Sequence, residues 1–263
     1  MPADVVLVKR GRIGYVTIDC PERRNCISME TAFALADIWD ELRDDPDVLV
    51  AILTGSGDVS FCAGGDLKEA AVRASEGEPV LTAAQHQRWH YAQYLAASFP
   101  KPVIAAVNGY AAGGGMGLAL ACDVRLCSDN AQFGASEVRW SHLALDIAHH
   151  VSRTLPLGWA MWLCLSGQFI DAATAHTIGL VQGVHPQGEL MERATELAEA
   201  IAANGDACVL NTKEFILRSL DMPFSTARDM EGVYYRQVAQ NPNYDEGTKS
   251  FIEKRKPQYD IDR

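Results

Sequence analysis

The chain has 263 residues with a formal net charge of −11, and 48% of its residues are hydrophobic. That is enough to bury a sizeable core without staples, while the acidity argues against nucleic-acid binding, where affinity comes mostly from a basic surface. Seven cysteines, odd in number and without Cys-x-x-Cys spacing, read as reduced packing residues of a cytoplasmic protein, and no leader pattern or membrane-spanning apolar run of about 20 residues is evident.

In chain order, 5–9 and 12–19 read as a hairpin across Gly11, and Ser28 caps an expected helix over 29–43. The run 48–53 is continuously apolar and rich in β-branched residues, as expected of a strand buried on both faces. A glycine-rich turn comes after it, Phe61-Cys62-Ala63-Gly64-Gly65-Asp66, and a helix can start in 66–73. Another helix is expected over about 79–98, then a strand at 103–107. A second glycine-rich turn, Val107-Asn108-Gly109-Tyr110-Ala111-Ala112-Gly113-Gly114-Gly115, leads into a short helix at 116–122 and a strand at 123–127. From about Asp171 the chain reads as helices at 172–177, 189–203, 206–220, 225–239 and 244–254. Composition and pattern alone give an α/β region followed by an α region.

Glycine at a strand-to-helix junction permits positive φ and leaves the backbone N–H and helix N-terminus open to a negative charge. Each turn alone is more simply a tight packing turn; two together suggest converging donors. No Gly-x-Gly-x-x-Gly after a strand and no phosphate-cradling Gly-x-x-x-x-Gly-Lys is present. His86 and His90 have helical spacing but no third ligand, so they are read as surface histidines and no metal is expected.

The two turns, with 105–123, Ala131-Gln132-Phe133-Gly134-Ala135-Ser136-Glu137, the segment Pro21-Glu22-Arg23-Arg24-Asn25 and the tail Phe251-Ile252-Glu253-Lys254-Arg255-Lys256-Pro257, resemble the enoyl-CoA hydratase/isomerase, or crotonase, superfamily over nearly the whole chain. The resemblance implies a spiral of ββα units at 1–200 carrying an acyl-CoA site, and a helical region at 201–263 that mediates assembly into a homotrimer or a hexamer of paired trimers. It also implies that the N–H groups of Gly65 and Gly114 stabilise a thioester enolate, with Glu137 moving the proton. Such donors are worth about 3–4 kcal/mol each in the transition state. Arg23 and Arg24 are expected near the CoA phosphates, Ala63, Asp66 and Leu67 near the rest of CoA, and Phe251 with Lys254 reaching in from the tail. CoA is then part of the substrate, and no separate cofactor is called for.

The sequence departs from this pattern at two places. Gly117 stands where two-glutamate hydratases carry their first glutamate, and 138–155 replaces the usual Pro/Gly-rich stretch. Relatives keeping only the second glutamate include double-bond isomerases and hydratase-lyases, so hydration and isomerisation both stay open. Thioester hydrolysis, or a non-catalytic acyl-CoA binder, is a further alternative. Asp146 lies in the segment from which some branches draw an extra aspartate, one residue late in the alignment, and a helix-capping role is equally open. His142, His149 and His150 each read as structural or as a pocket wall, and Trp140 as core or acyl-pocket lining.

Overall fold

In the computed structural model, residues 4–76, 82–93 and 99–259 are described. A hairpin of β1 (Val5–Arg10) and β2 (Ile13–Ile18) leads into α1 (Met29–Asp44), whose first turn is capped by Ser28 accepting from the Thr31 amide. Next come β3 (Val50–Gly55), β4 (Ser60–Cys62), α2 (Leu67–Ser75), α3 (Ala83–Gln93) and β5 (Val103–Val107). The middle of the chain is β6 (Tyr110–Ala112), α4 (Gly114–Ala121), β7 (Val124–Ser128) and β8 (Gln132–Gly134), then a 3₁₀ turn over Ser136–Trp140. Beyond it lie α5 (Leu145–Thr154), α6 (Leu157–Ser166), β9 (Phe169–Asp171), α7 (Ala172–Thr177) and β10 (Gly183–His185). Four helices end the chain: α8 (Leu190–Ala202), α9 (Asp206–Ser219), α10 (Phe224–Ala239) and α11 (Pro242–Ile252).

The larger sheet has the order β1-β2-β3-β5-β7-β10 and is parallel except for the β1–β2 hairpin. Its central strands are buried on both faces, which is why they read as unbroken apolar runs. Val50, Ile52, Ile104 and Ala106 point to one face, where Leu190, Ala194 and Ala198 of α8 cover them. Ala51, Leu53, Val103, Ala105 and Val107 point to the other, into the main core with Trp39, Phe61, Met116 and Phe133. The expected strand 48–53 begins two residues late because the Leu49 amide turns onto the Arg12 carbonyl, and the β2–β3 ladder starts only at Ile13↔Val50.

A second sheet, β4-β6-β8-β9, consists of four strands of three residues each. β4, β6 and β8 run parallel. Periodicity cannot be read from three residues, so no sequence pattern announces this sheet, and none announces α5, α6 or β10. The described part of the helix expected over 79–98 is α3; its proposed ends at 79–81 and 94–98 lie outside the described residues.

Two asparagines fix the connections into the small sheet. Asn25, fully buried, donates through Nδ2 to the carbonyls of Ser56 (3.0 Å) and Ser60 (2.7 Å), while its Oδ1 accepts from the Cys20 amide. Asn108 Nδ2 donates to the carbonyls of Gly55 and Gly57, both at 2.8 Å, and its Oδ1 accepts from the Gly55 amide at 3.2 Å. Asn108→Ala orphans these backbone groups, so it should cost at least about 2 kcal/mol of stability; urea unfolding measures it, and a wild-type midpoint would remove Asn108 from this role.

Candidate active site

The parallel register of β4 with β6 (Ser60↔Tyr110, Cys62↔Ala111) and of β6 with β8 (Ala111↔Phe133, Ala112↔Gly134) ends all three strands at one edge. The segments leaving these strands must therefore meet there. They are the first glycine turn, the second glycine turn, and the stretch leading to Glu137.

The turns are in contact, and they need glycine. Gly64 has φ +88°, and a Cβ on it would lie 2.9 Å from the Ala112 carbonyl oxygen and 3.0 Å from the Gly114 nitrogen. A Cβ on Gly115 would fall 2.0 Å from the Cys62 carbonyl oxygen, closer than any real contact. A Cβ on Gly114 would sit 3.7 Å from the Gly65 nitrogen, so the two expected donors are neighbours. Gly65 is exposed, with nothing within 4 Å of the position a Cβ would take. Its segment is held on one side only: Ile27 donates to the Gly64 carbonyl (2.8 Å) and accepts from the Asp66 amide (2.9 Å). Gly114 opens α4, whose first N–H groups have no intrahelical acceptor. Among the described residues neither the Gly65 nor the Gly114 amide is bonded to an acceptor.

Glu137 lies in the 3₁₀ turn after β8, and its Oε1 is 3.1 Å from where a Cβ on Gly113 would stand. Its Oε2 is buried and without a hydrogen-bond partner. Burial pushes the Glu137 carboxyl above its ordinary range and the Asp146 charge pushes the same way, while its own backbone amide and His142 oppose them.

Asp146 is in the first turn of α5, which packs against α4. A Cβ built on Gly117 would meet Asp146 Cβ at 3.7 Å and Ile147 Cγ1 at 3.8 Å, ordinary contact distances. The side of α4 on which residue 117 lies is thus the side Asp146 occupies. Further along α5, His149 is exposed and His150 is half-buried, with burial pushing the His150 imidazole down to about 4. His142 is exposed, and Trp140 is 66% exposed, which removes the core reading for that ring. His86 and His90 touch through their Nε2 atoms at 3.1 Å.

The residues expected around CoA are dispersed in their environments. Arg23 is engaged by Asp4 and by Asp66 at 3.2 Å. Burial alone would raise the Asp66 carboxyl, but the Glu69 and Lys68 amides, the Cys26 thiol and Arg23 outweigh it and hold it low. Asp66 thereby caps α2. Arg24 is exposed, and its carbonyl accepts from the Ala63 amide at 3.1 Å. Leu67, Phe251 and Lys254 are exposed at the surface, and no backbone hydrogen bond joins the last two to the glycine turns among the described residues. One residue not singled out from sequence also reaches the site: buried Gln93, at the end of α3, has its Oε1 3.4 Å from the Cβ position of Gly114. Only the tertiary packing of α3 brings it there.

Comparison with known proteins agrees with the fold and the family resemblance. The family model described as enoyl-CoA hydratase/isomerase matches residues 9–262. The chain is 36% identical to the (E)-benzylidenesuccinyl-CoA hydratase of Thauera aromatica, covering 97% of this chain and 98% of that one. It is 34% identical to the short-chain-enoyl-CoA hydratase of Clostridium acetobutylicum, covering 96% of each. Among solved structures, the enoyl-CoA hydratase of Bacillus anthracis superposes with a TM-score of 0.90 at 31% identity, over 98% of this chain and 100% of that one. That of Mycobacterium tuberculosis superposes at 0.89 and 33% identity, over 98% and 99%.

The raised Glu137 carboxyl has a stability consequence. Its proton is retained more strongly in the folded chain than in the unfolded one, so its stabilising effect is full below the unfolded value of 4.5 and is lost as pH rises through the folded value. Glu137→Gln, which cannot ionise, should melt higher than wild type at pH 7–8, with the gap closing below pH 4.5. Thermal melts across pH measure this; a gap independent of pH would contradict it.

Proposed function

The chain belongs to the enoyl-CoA hydratase/isomerase family and is an acyl-CoA enzyme of its lyase or isomerase type; on that premise we propose that it adds water across the α,β double bond of an enoyl-CoA. The observation that carries hydration over isomerisation is the juxtaposition of Asp146 with Gly117. Hydration by this geometry wants two carboxylates, and the one absent from position 117 has a counterpart on the facing helix.

In this reading the thioester carbonyl oxygen lies between the N–H groups of Gly65 and Gly114. Asp146 takes a proton from water as the water oxygen bonds to Cβ. The π electrons of the double bond shift through Cα to the thioester oxygen, forming the enolate that the two N–H groups stabilise. Glu137, whose burial favours the protonated form, then delivers a proton to Cα, and the enolate collapses back to the thioester. Both atoms of hydrogen come from water, with proton exchange between the carboxylates restoring the start. Arg24 and Lys254 are proposed to meet the phosphates of CoA, with Arg23 joining them from its carboxylate partners. Ala63, Asp66 and Leu67 border the nucleotide end, while Trp140 and Phe251 line the acyl and CoA paths. The exposed apolar side chains of the last helices, including Ile216, Leu220 and Phe224, support a homotrimer or a hexamer, built by residues 201–263 on a core formed by 1–200. No separate cofactor enters the reaction, and a cytoplasmic setting fits the scattered thiols.

The substrates named for the relatives range from short-chain enoyl-CoA to (E)-benzylidenesuccinyl-CoA, so crotonyl-CoA and an aryl-substituted enoyl-CoA are the probes to compare. Glu137→Gln and Asp146→Ala should each lower kcat about 10²–10⁴-fold, and Gly117→Glu should restore part of the activity of Asp146→Ala. Mass spectrometry in deuterated water reads the reaction: gain of water is hydration. Deuterium uptake without added water would mark an isomerase, and free CoA a thioester hydrolase. Wild-type rates in Asp146→Ala would remove Asp146 from the mechanism.

A further inference from the structure

The end of α3 is fixed from one side. Trp39 Nε1 of α1 donates to the Ala92 carbonyl at 3.2 Å, and Arg88 pairs with Asp37 and, at 2.5 Å, with Asp40. This anchoring turns Gln93 toward α4, where it is only 3% exposed and lies against Gly114. Among the described residues its Nε2 is buried with no hydrogen-bond partner. On the other side of the same glycine pair, Glu137 Oε2 is likewise buried and unpartnered. Protein interiors pair nearly all their polar groups, and each exception calls for a cause. Here two exceptions, one donor and one carboxylate oxygen, flank Gly113 and Gly114, next to where the thioester oxygen is expected.

A hydrocarbon acyl chain brings the Gln93 donor no acceptor of its own. An acyl chain carrying an acceptor oxygen would pair it. Discrimination of this type is strong, because the penalty falls on the ligand that leaves a buried donor unmet. We propose that Gln93 is a specificity residue whose Nε2–H donates to an oxygen on the acyl group of the substrate, so that the site prefers oxygen-bearing acyl-CoA over plain alkyl acyl-CoA. The inference rests on the acyl-CoA reading of the site. An uncharged amide selects for the oxygen itself, whether hydroxyl or carboxylate.

The test uses acyl-CoA ligands of equal chain length that cannot undergo α,β-hydration or β-elimination: butanoyl-CoA, 4-hydroxybutanoyl-CoA and succinyl-CoA. Calorimetric titration of the wild-type protein should show at least one oxygenated ligand binding about ten-fold tighter than butanoyl-CoA if neutral, and up to about a hundred-fold if anionic; which ligand leads identifies the oxygen. Gln93→Leu, and Gln93→Met as the unbranched second variant, should abolish that preference while binding butanoyl-CoA as well as wild type does, and should melt no lower than wild type. No preference in wild type, a preference that survives both substitutions, or a lowered melting temperature with equal loss for all three ligands overturns the proposal. A wild type that discriminates among the ligands but hydrates no enoyl-CoA overturns only the hydratase reading. One that hydrates enoyl-CoA without discriminating overturns only the role of Gln93, and failure to bind any of the three overturns both.

Discussion

The parallel pairing of three very short strands is the constraint on which the rest of the site depends. β4, β6 and β8 contribute only three residues each, yet their common direction and register deliver two glycine turns and Glu137 to one edge. The pairing is close enough that a methyl group at Gly115 would overlap the Cys62 carbonyl. Glycine there serves contact between backbones, and open amides at Gly65 and Gly114 follow from it. The Gly65 amide lies in a segment bridged to Ile27 and the Gly114 amide opens α4, so the fold itself positions both. Asn25 and Asn108 extend the same logic outward, since their amides tie the β3–β4 connection to the small sheet through four backbone carbonyl bonds.

The net charge of −11 says little about this edge. Local dipoles act there: α4 and α5 both start beside Gly113–Gly117, near Glu137 and Asp146. Against that favourable field stands burial, which is the larger influence on Glu137 and leaves its carboxyl raised. The surroundings of Glu137 favour its protonated form, which suits the acid role proposed for it.

Legibility from sequence tracks element length and the range of the contacts. Strands β3 and β5 announce themselves because both faces are buried, and α1 because Ser28 caps an amphipathic run. The glycine turns are legible as motifs, and their family resemblance points to Gly65 and Gly114 as neighbours. The four three-residue strands are not, since their pairing is enforced by neighbours distant in sequence and leaves no period. α5 is hidden by the unusual composition of 138–155, with adjacent histidines and no side-chain cap on Ala144. Gln93 is invisible for a stronger reason. A glutamine on a helix is ordinarily solvated, and only the anchoring of α3 on Trp39 and against α4 buries it.

Gly117 reads differently along the chain and in three dimensions. Read along the chain, a glycine in place of a glutamate halves the proton-transfer machinery. In three dimensions, the same glycine opens the face of α4 to α5, and Asp146 comes within van der Waals contact of the empty Cβ position. A side chain at 117 would meet Asp146 and Ile147 at ordinary contact distances, so positions 117 and 146 face the same space between α4 and α5. An aspartate at the first turn of a helix is also more rigidly mounted than a longer side chain reaching from α4. The backbone that carries Asp146 is fixed by Ile147 and Val151 in the core. In the proposed reaction a base mounted on α5 approaches Cβ from a different direction than one mounted on α4, which changes the shape of acyl group that fits beside it.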